Sequence, residues 1–322
     1  MIFYFAPMEG ITGYIYRNAY QTYFHQVEQY FSPFIVANQS DSLKTREIND
    51  ILPEHNQNYR LIPQLLTNRA KDFIHTANKI KQLGYEEVNL NLGCPSGTVV
   101  AKQKGSGFLS LPKELDIFLD EIFTQSSLRI SVKTRLGIDQ PEEFYDLLEI
   151  FNKYPIKELI IHPRVQQDFY KNTPNYVLFR EALTLSKNPV CYNGDICNVK
   201  DYETLLHDFP NLEKLMIGRG SIANPGLITE IKEHKELEKG LLKEFHDLIY
   251  TGYKSTLLSD RNVLFKMKDL WFYMIRLFPD HEKQAKKIKK SERCSDYDDA
   301  VSSLFREREL LTMEEKAQTT GT

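Results

Sequence analysis

A single cysteine closes an apolar run in NLNLGCPSG, residues 89 to 97, where Gly93, Cys94 and Pro95 follow directly on Leu92. A thiol of ordinary pKa, about 8.5, is mostly protonated at neutral pH and serves as a general acid. Pro95 biases the residue before it toward extended backbone, so Cys94 is not expected to open a helix whose dipole would turn it into a thiolate. Other polar groups stand where further apolar runs end: Met8, Asn38, Gln64, Asn91, Lys133, His162, Asn193 with Asp195, and Arg219. In YNGDI and MIGRGSIANPG a glycine follows the run, which lets backbone N–H groups approach an anion closely, and Arg219 adds a fork of donors.

The elements that must position these groups alternate along the chain. Apolar runs begin at Ile2, Gln29, Leu61, Glu86, Arg129, Lys157, Asn188 and Glu213, separated by amphipathic stretches such as RAKDFIHTANKIKQLG and PEEFYDLLEIFNKYP. Near-continuous apolar strands alternating with helices predict a parallel sheet covered by helices. Eight such units predict an α/β fold, a (β/α)8 TIM barrel, whose chemistry gathers at the C-terminal ends of the strands. His162 follows two isoleucines that would fill the barrel, which places it at the mouth. The loops after strands seven and eight are the usual phosphate site of such a barrel. A phosphate clamp opposite Lys133 points to a phosphorylated planar cofactor, with Gln64 and the backbone at Ala6, Pro7 and Met8 beside its ring. GRGSIA also fits the dinucleotide fingerprint G-x-G-x-x-A, but the chain beyond it is helical rather than built of further βα units. Arg135 and Gly137 read as a turn, and Cys191 and Cys197 as small buried hydrophobes.

The chain divides, on this reading, into a barrel over residues 1–235 and a small C-terminal helical bundle over 240–322 with a disordered tail. The bundle comes from the apolar spacing of FHDLIYTGYKSTLL, NVLFKMKDLWFYMIRLF and YDDAVSSLFRER, with Trp271 and Phe272 in its core. Within HEKQAKKIKKSER six basic residues face two acidic ones, and Lys283, Lys286, Lys287 and Lys290 share one helix face opposite Ala285 and Ile288. The whole chain, with 41 basic and 44 acidic residues in 322, has a net charge of −3 and no global sign of a nucleic-acid binder. Its four cysteines never form C-x-x-C, so neither zinc nor a dithiol pair is indicated and no metal is expected. No apolar stretch is long enough to span a membrane, and the N-terminus reads as a strand rather than a leader, which predicts a cytoplasmic protein.

Together, APMEGITGYIYRNAY, NLNLGCPSG, KGSGFL, SVKTRLG, IIHPR, YNGDI and MIGRG resemble the bacterial, FMN-dependent tRNA-dihydrouridine synthase family, in order and over nearly the whole chain. The resemblance implies reduction of the C5–C6 double bond of specific uridines in tRNA, with hydride from reduced FMN and NADPH restoring the flavin. It implies that Pro7, Met8, Glu9, Gln64, Lys133, His162, Asn193, Gly194, Asp195, Gly218 and Arg219 line the FMN site. Asn91 would touch the target uracil and Cys94 would donate the proton. The segment SGTVVAKQKGSG reads as mobile, able to close over the base. A uracil in folded RNA must be turned out of its stack to react, so a second gripping surface is needed. The lysine face at 283 to 290 is the candidate. No obligate protein partner is evident.

The chain departs from the commonest family pattern at Gly13, where aspartate is frequent, at HPR in place of H-G-R, and at Gly105 and Gly107, which flank a serine. Other readings stay open: a flavin barrel reducing a small molecule, ribosomal rather than transfer RNA as substrate, a Schiff-base aldolase using Lys133, and a non-catalytic RNA-binding module.

Overall fold

The computed structural model describes residues 1–40 and 43–318. Its strands are β1 (Ile2–Phe5), β2 (Gln29–Phe31), β3 (Ile35–Val36), β4 (Leu61–Ile62), β5 (Gln64–Leu66), β6 (Glu87–Leu92), β7 (Arg129–Arg135), β8 (Leu159–His162), β9 (Val190–Tyr192) and β10 (Lys214–Ile217). They form one sheet in the order β3-β5-β6-β7-β8-β9-β10-β1-β2-β4, and every pairing with a defined register is parallel. The eight expected strands are all there, but two are interrupted. Pro63 has no N–H to give to a ladder, so the third run breaks into β4 and β5. The second breaks into β2 and β3 around Ser32, Pro33 and Phe34. These breaks explain how the sheet closes: β4 lies at one edge against β2, while β5, one residue later, pairs with β3 and β6 at the other. The chain itself links the two edges, and eight strand positions make the circuit of a (β/α)8 barrel.

Register sets which side chains share the inner face. Gln64 lies opposite Asn89 and Asn89 opposite Ser131; one step further along, Asn91 lies opposite Lys133 and Lys133 opposite Ile160. Tyr4, Ala6, Phe31, Ile62, Ile160, Cys191 and Met216 form a buried apolar cluster. On the outside, the helix Ala70–Gln82 buries Phe73, Ala77 and Ile80, and the helix Glu143–Phe151 buries Phe144, Leu147, Leu148 and Phe151. Both follow the 3.6-residue spacing that marks them in the sequence.

The chain packs as two compact units. The first comprises Met1–Pro7, Gln29–Gly194 and Asn211–Met216; the second comprises Met8–Glu28, Asp195–Pro210 and the chain from Ile217 on. In the second unit the helix Tyr14–Tyr23 packs on Lys239–Thr256, with Tyr16, Tyr20 and Phe24 edge-on to Phe245 at 5.3–6.2 Å between ring centroids. The helices Asp260–Met274, Glu282–Lys290 and Cys294–Glu307 complete it, and the expected bundle falls wholly within this unit. Trp271 is in its core, 3 % exposed, and donates through Nε1 to Tyr297 Oη at 2.7 Å. Phe272 is not: it is 64 % exposed, because the next residue along the helix is turned about 100° away from the buried stripe.

The tail expected to be disordered is folded as far as it is described. Leu311 N–H donates to Leu277 C=O at 2.8 Å, and Met313–Gln318 is a helix. Lys316 reaches Glu230 at 2.6 Å with both side chains buried, and Glu230 also accepts from Asn224. Residues 319–322 lie outside the described residues. No helix among the described residues is long and apolar enough to cross a membrane.

Candidate active site

The C-terminal end of β6 is organised by a relay of buried amides. Asn89 Nδ2 donates to Ser131 Oγ at 3.0 Å, Gln64 Nε2 to Asn89 Oδ1 at 2.8 Å, and Asn91 Nδ2 to Gln64 Oε1 at 2.8 Å. Asn91 Oδ1 then accepts from the backbone N–H of Gly93 at 3.1 Å and of Cys94 at 2.9 Å. Four side chains on three adjacent strands thus end at the backbone of one cysteine. Asn91, expected against a substrate base, is here the residue that turns the chain and sets the position of Cys94. Gln64, expected at a cofactor, orients Asn91.

Cys94 is partly exposed, in no disulfide, and lies outside any helix, since the next one begins at Gly97. The segment after it, read from sequence as mobile, is exposed at residues 96–98 and 101–103 and anchored between and after them. Val99 is buried in the helix Gly97–Val100, and Gly105 to Leu109 are buried in a 3-10 turn. Ser106 donates to Cys94 C=O twice, from N at 3.1 Å and from Oγ at 2.9 Å. Gly105 makes this possible: its φ is +57°, and a Cβ there would stand 2.8 Å from Cys94 O.

Opposite Asn91 in the sheet stands Lys133, half-buried, whose ammonium makes no hydrogen bond or ion pair among the described residues. Burial, and then the Arg135 guanidinium, push its pKa down to about 8. An ammonium left without a counter-charge in such a place fits an anionic or electron-rich ligand.

His162, at the end of β8, is buried and held from both ring nitrogens. Nδ1 lies 2.8 Å from the backbone carbonyl of Asn193, and Nε2 lies 3.2 Å from Arg164 Nη1. The carbonyl can only accept and the guanidinium can only donate, so the ring is the neutral Nδ1–H tautomer. Burial, reinforced by the charges of Arg135, Lys133 and Arg164, holds its pKa well below the usual value. Asn193 in turn donates to Met216 C=O at 2.8 Å. A Cβ on Gly194 would stand 2.0 Å from Tyr192 Oη, so a side chain there would have to displace the buried tyrosine ring.

In the second unit, Arg219 Nη2 donates to Asp195 Oδ1, and Gly218 precedes the short helix Arg219–Ala223. A Cβ on Gly220 would stand 1.9 Å from Ile196 O, so the two glycine-bearing loops pass as close as backbones can. Asp195 orients the guanidinium fork. Met8 C=O accepts from Ile11 N and Thr12 N, closing the turn after Pro7, and Glu9 lies exposed on that turn. Lys283, Lys286, Lys287 and Lys290 line one groove together with Ser291, Asp296 and Asp299.

Sequence reasoning missed Arg135. It is 2 % exposed, not part of an open turn, and it donates to Gly93 O at 3.0 Å, Val165 O at 2.9 Å and Phe169 O at 2.7 Å. One buried cation thereby ties the cysteine loop to the loop after β8. Tyr170 of that loop stacks under the Arg135 guanidinium at 5.2 Å and lies edge-on to His162 at 6.0 Å. The signal was the two-residue alternation of Ser131, Lys133 and Arg135, which carries the inward face one step past the lysine. Among the described residues no group of three or more His, Cys, Asp or Glu side chains could hold a metal.

The family model for dihydrouridine synthase matches residues 4–307. The chain belongs to the dihydrouridine synthase family. Relatives within it include a protein of Staphylococcus aureus strain Mu50 named probable tRNA-dihydrouridine synthase, 25 % identical over 78 % of each chain. A Pseudomonas putida protein named tRNA-dihydrouridine(16) synthase is 24 % identical over 90 % of this chain and 93 % of its own. Among solved structures, morphinone reductase superposes with a TM-score of 0.51 at 12 % identity, covering 76 % of this chain and 88 % of that one. At that identity the likeness is one of fold.

Proposed function

We propose that this chain reduces the C5–C6 double bond of specific uridines in tRNA to dihydrouridine in the cytoplasm, with FMN as resident cofactor, NADPH as reductant and Cys94 as proton donor. The observation that carries the reading is the amide relay that fixes Cys94 at a strand end whose neighbour bears the unpartnered Lys133 ammonium. Family membership supports uridine as the substrate, and the names of both relatives support tRNA as its carrier.

FMN, when bound, supplies hydride chemistry. The chain's own residues supply the rest. Lys133, whose pKa burial lowers, offers a positive charge to the electron-rich edge of the cofactor. Arg219, steadied by Asp195, offers guanidinium donors to a phosphate. His162 stays neutral and, locked by Asn193 and Arg164, acts as a fixed wall rather than a proton carrier. Tyr170, half exposed and backed by Arg135, presents a ring face to a planar base. Reduction at C6 builds negative charge at C5 and O4 of uracil, and the Cys94 Sγ–H quenches it at C5.

The test separates the two half-reactions. Purified protein should be yellow, lose its flavin absorbance with NADPH, and regain it on a tRNA transcript. Cys94→Ala should keep the first step and lose about 10²- to 10⁴-fold in the second, with Cys94→Ser recovering little. A colourless preparation that FMN cannot reconstitute would end the proposal. So would an alanine variant that reoxidises within a few-fold of wild type.

A further inference from the structure

Among the described residues, the non-glycine positions with positive φ are Gln103, Phe169, His234 and Asp280, and Phe169 alone of them is apolar. Its φ of +50° lies in the left-handed region, which costs any residue with a Cβ free energy and is rare for a bulky one. The loop imposes that backbone. Phe169 C=O accepts from Arg135 Nη2 at 2.7 Å, and Phe169 N–H donates to Gln166 C=O at 3.1 Å. Val165 N–H donates to Asp168 Oδ2 at 3.1 Å, and Arg164 Nε to Asn172 C=O, which pins the loop on both sides. Glycine or asparagine would take the same backbone at less cost. Core packing is a weak offset, because Phe169 is 46 % exposed.

The neighbouring residues give this loop tip its chemistry. Tyr170, Lys171, Asn172 and Thr173 are exposed as well, so two aromatic rings stand in sequence before a cation. Of the carboxylates nearby, Asp168 is half-buried and accepts from Val165 and Asn172, and Asp139 accepts from Gln167. Arg135 also donates to Gly93 C=O at 3.0 Å, so one guanidinium holds the backbone of Phe169 together with the residue before Cys94. All of these residues belong to the first unit.

We infer that Phe169 is a specificity-determining residue, its ring stacking on a nucleotide that flanks the target uridine. The inference rests on the proposed uridine reduction and adds to it a contact with the neighbours of the reacting base. A uridine turned out of its stack brings the nucleotides on either side to the rim of the pocket it enters. Those neighbours have lost a stacking partner, and a ring held beside the cysteine loop replaces it. Lys171 suits the phosphate that joins them, whereas an apolar protein partner would bury that ammonium without a counter-charge. Because Arg135 and Asp168 fix the loop beforehand, little freedom is left to lose when the base arrives.

The experiment follows reoxidation of the NADPH-reduced flavin by a tRNA transcript, in the full-length holoenzyme, over a range of tRNA concentration. Phe169→Ala and Phe169→Gly should each raise the half-saturating tRNA concentration roughly five- to a hundredfold, the effect of losing one base stacked on a ring. The rate at saturation should stay within a few-fold of wild type, and Phe169→Tyr should behave like wild type throughout. Reduction of the flavin by NADPH should be unaltered in all three. The glycine variant should melt at the wild-type temperature or higher, since it sheds the left-handed strain. Half-saturation within twofold of wild type in the alanine and glycine variants overturns the inference. So does a glycine variant that melts several degrees lower, which makes the ring a packing element. Faster oxidation of the reduced flavin by oxygen without RNA also overturns it, by making the ring a cover over the cofactor. If tRNA does not reoxidise the wild-type flavin at all, the functional reading falls and takes this inference with it.

Discussion

At pH 7 the Lys133 ammonium is charged, half-buried and without a counter-charge among the described residues, which costs the folded state free energy. The folded lysine loses its proton at about 8, against 10.5 in the ordinary state. Between those values the unfolded chain holds more protons, so the flavin-free protein should gain stability as pH rises through that window. Binding an anionic ligand favours the ammonium, so the affinity for FMN should fall over the same window. Lys133→Met should release flavin more readily while the flavin-free protein melts at the same temperature or higher. A melting temperature several degrees lower, with flavin retained, would make the lysine structural. Arg135 is the contrasting case. Its three carbonyl acceptors use the charge to hold two loops, so its burial is compensated and its role is positioning.

Among elements, the segment from Gly97 to Ser110 decides how Cys94 is presented. Val99 and the turn Gly105–Ser110 pack on the cysteine backbone, and Ser106 satisfies its carbonyl. Gly105→Ala must place a methyl group 2.8 Å from Cys94 O and 2.9 Å from Val99 Cγ1, at a φ of +57°. The left-handed backbone costs about 1–2 kcal/mol, and overpacking adds about 1–3 kcal/mol. Thermal unfolding should show that loss. The reaction of Cys94 with a thiol reagent should also change, while bound flavin remains. An alanine variant with wild-type melting and thiol reactivity would show that the segment yields easily and is closer to the mobile lid its sequence suggests.

For the whole molecule, a net charge of −3 provides no general attraction for RNA, so any electrostatic grip has to come from local asymmetry. The groove lined by Lys283, Lys286, Lys287 and Lys290 is such a place, although Asp296 and Asp299 share it. Replacing the four lysines with alanine should weaken tRNA binding and lower the magnitude of its salt slope by up to about 0.9 per contact with duplex RNA, taking the B-DNA value. An unchanged slope would make the lysines a solvated face.

The alternation of apolar runs with amphipathic stretches determined the barrel, because a parallel strand buried on both faces cannot be written in another pattern. It also determined that Asn91, Cys94 and His162 gather where strands end, whereas Gln64, expected at such an end, opens β5, and Lys133 lies two residues before the end of β7. What those residues bond to was decided only by the closed sheet. Asn91 and Gln64 meet because β5 and β6 pair in one particular register, and a hydrogen bond across 27 residues leaves no trace in local spacing. Arg135 was hidden for the same reason, since its partners lie up to 42 residues away and are backbone carbonyls, which no side-chain motif announces. Trp271 and Phe272 show the limit at its smallest: both suit a core, and only the packing of neighbouring helices decides that one is buried and the next faces water.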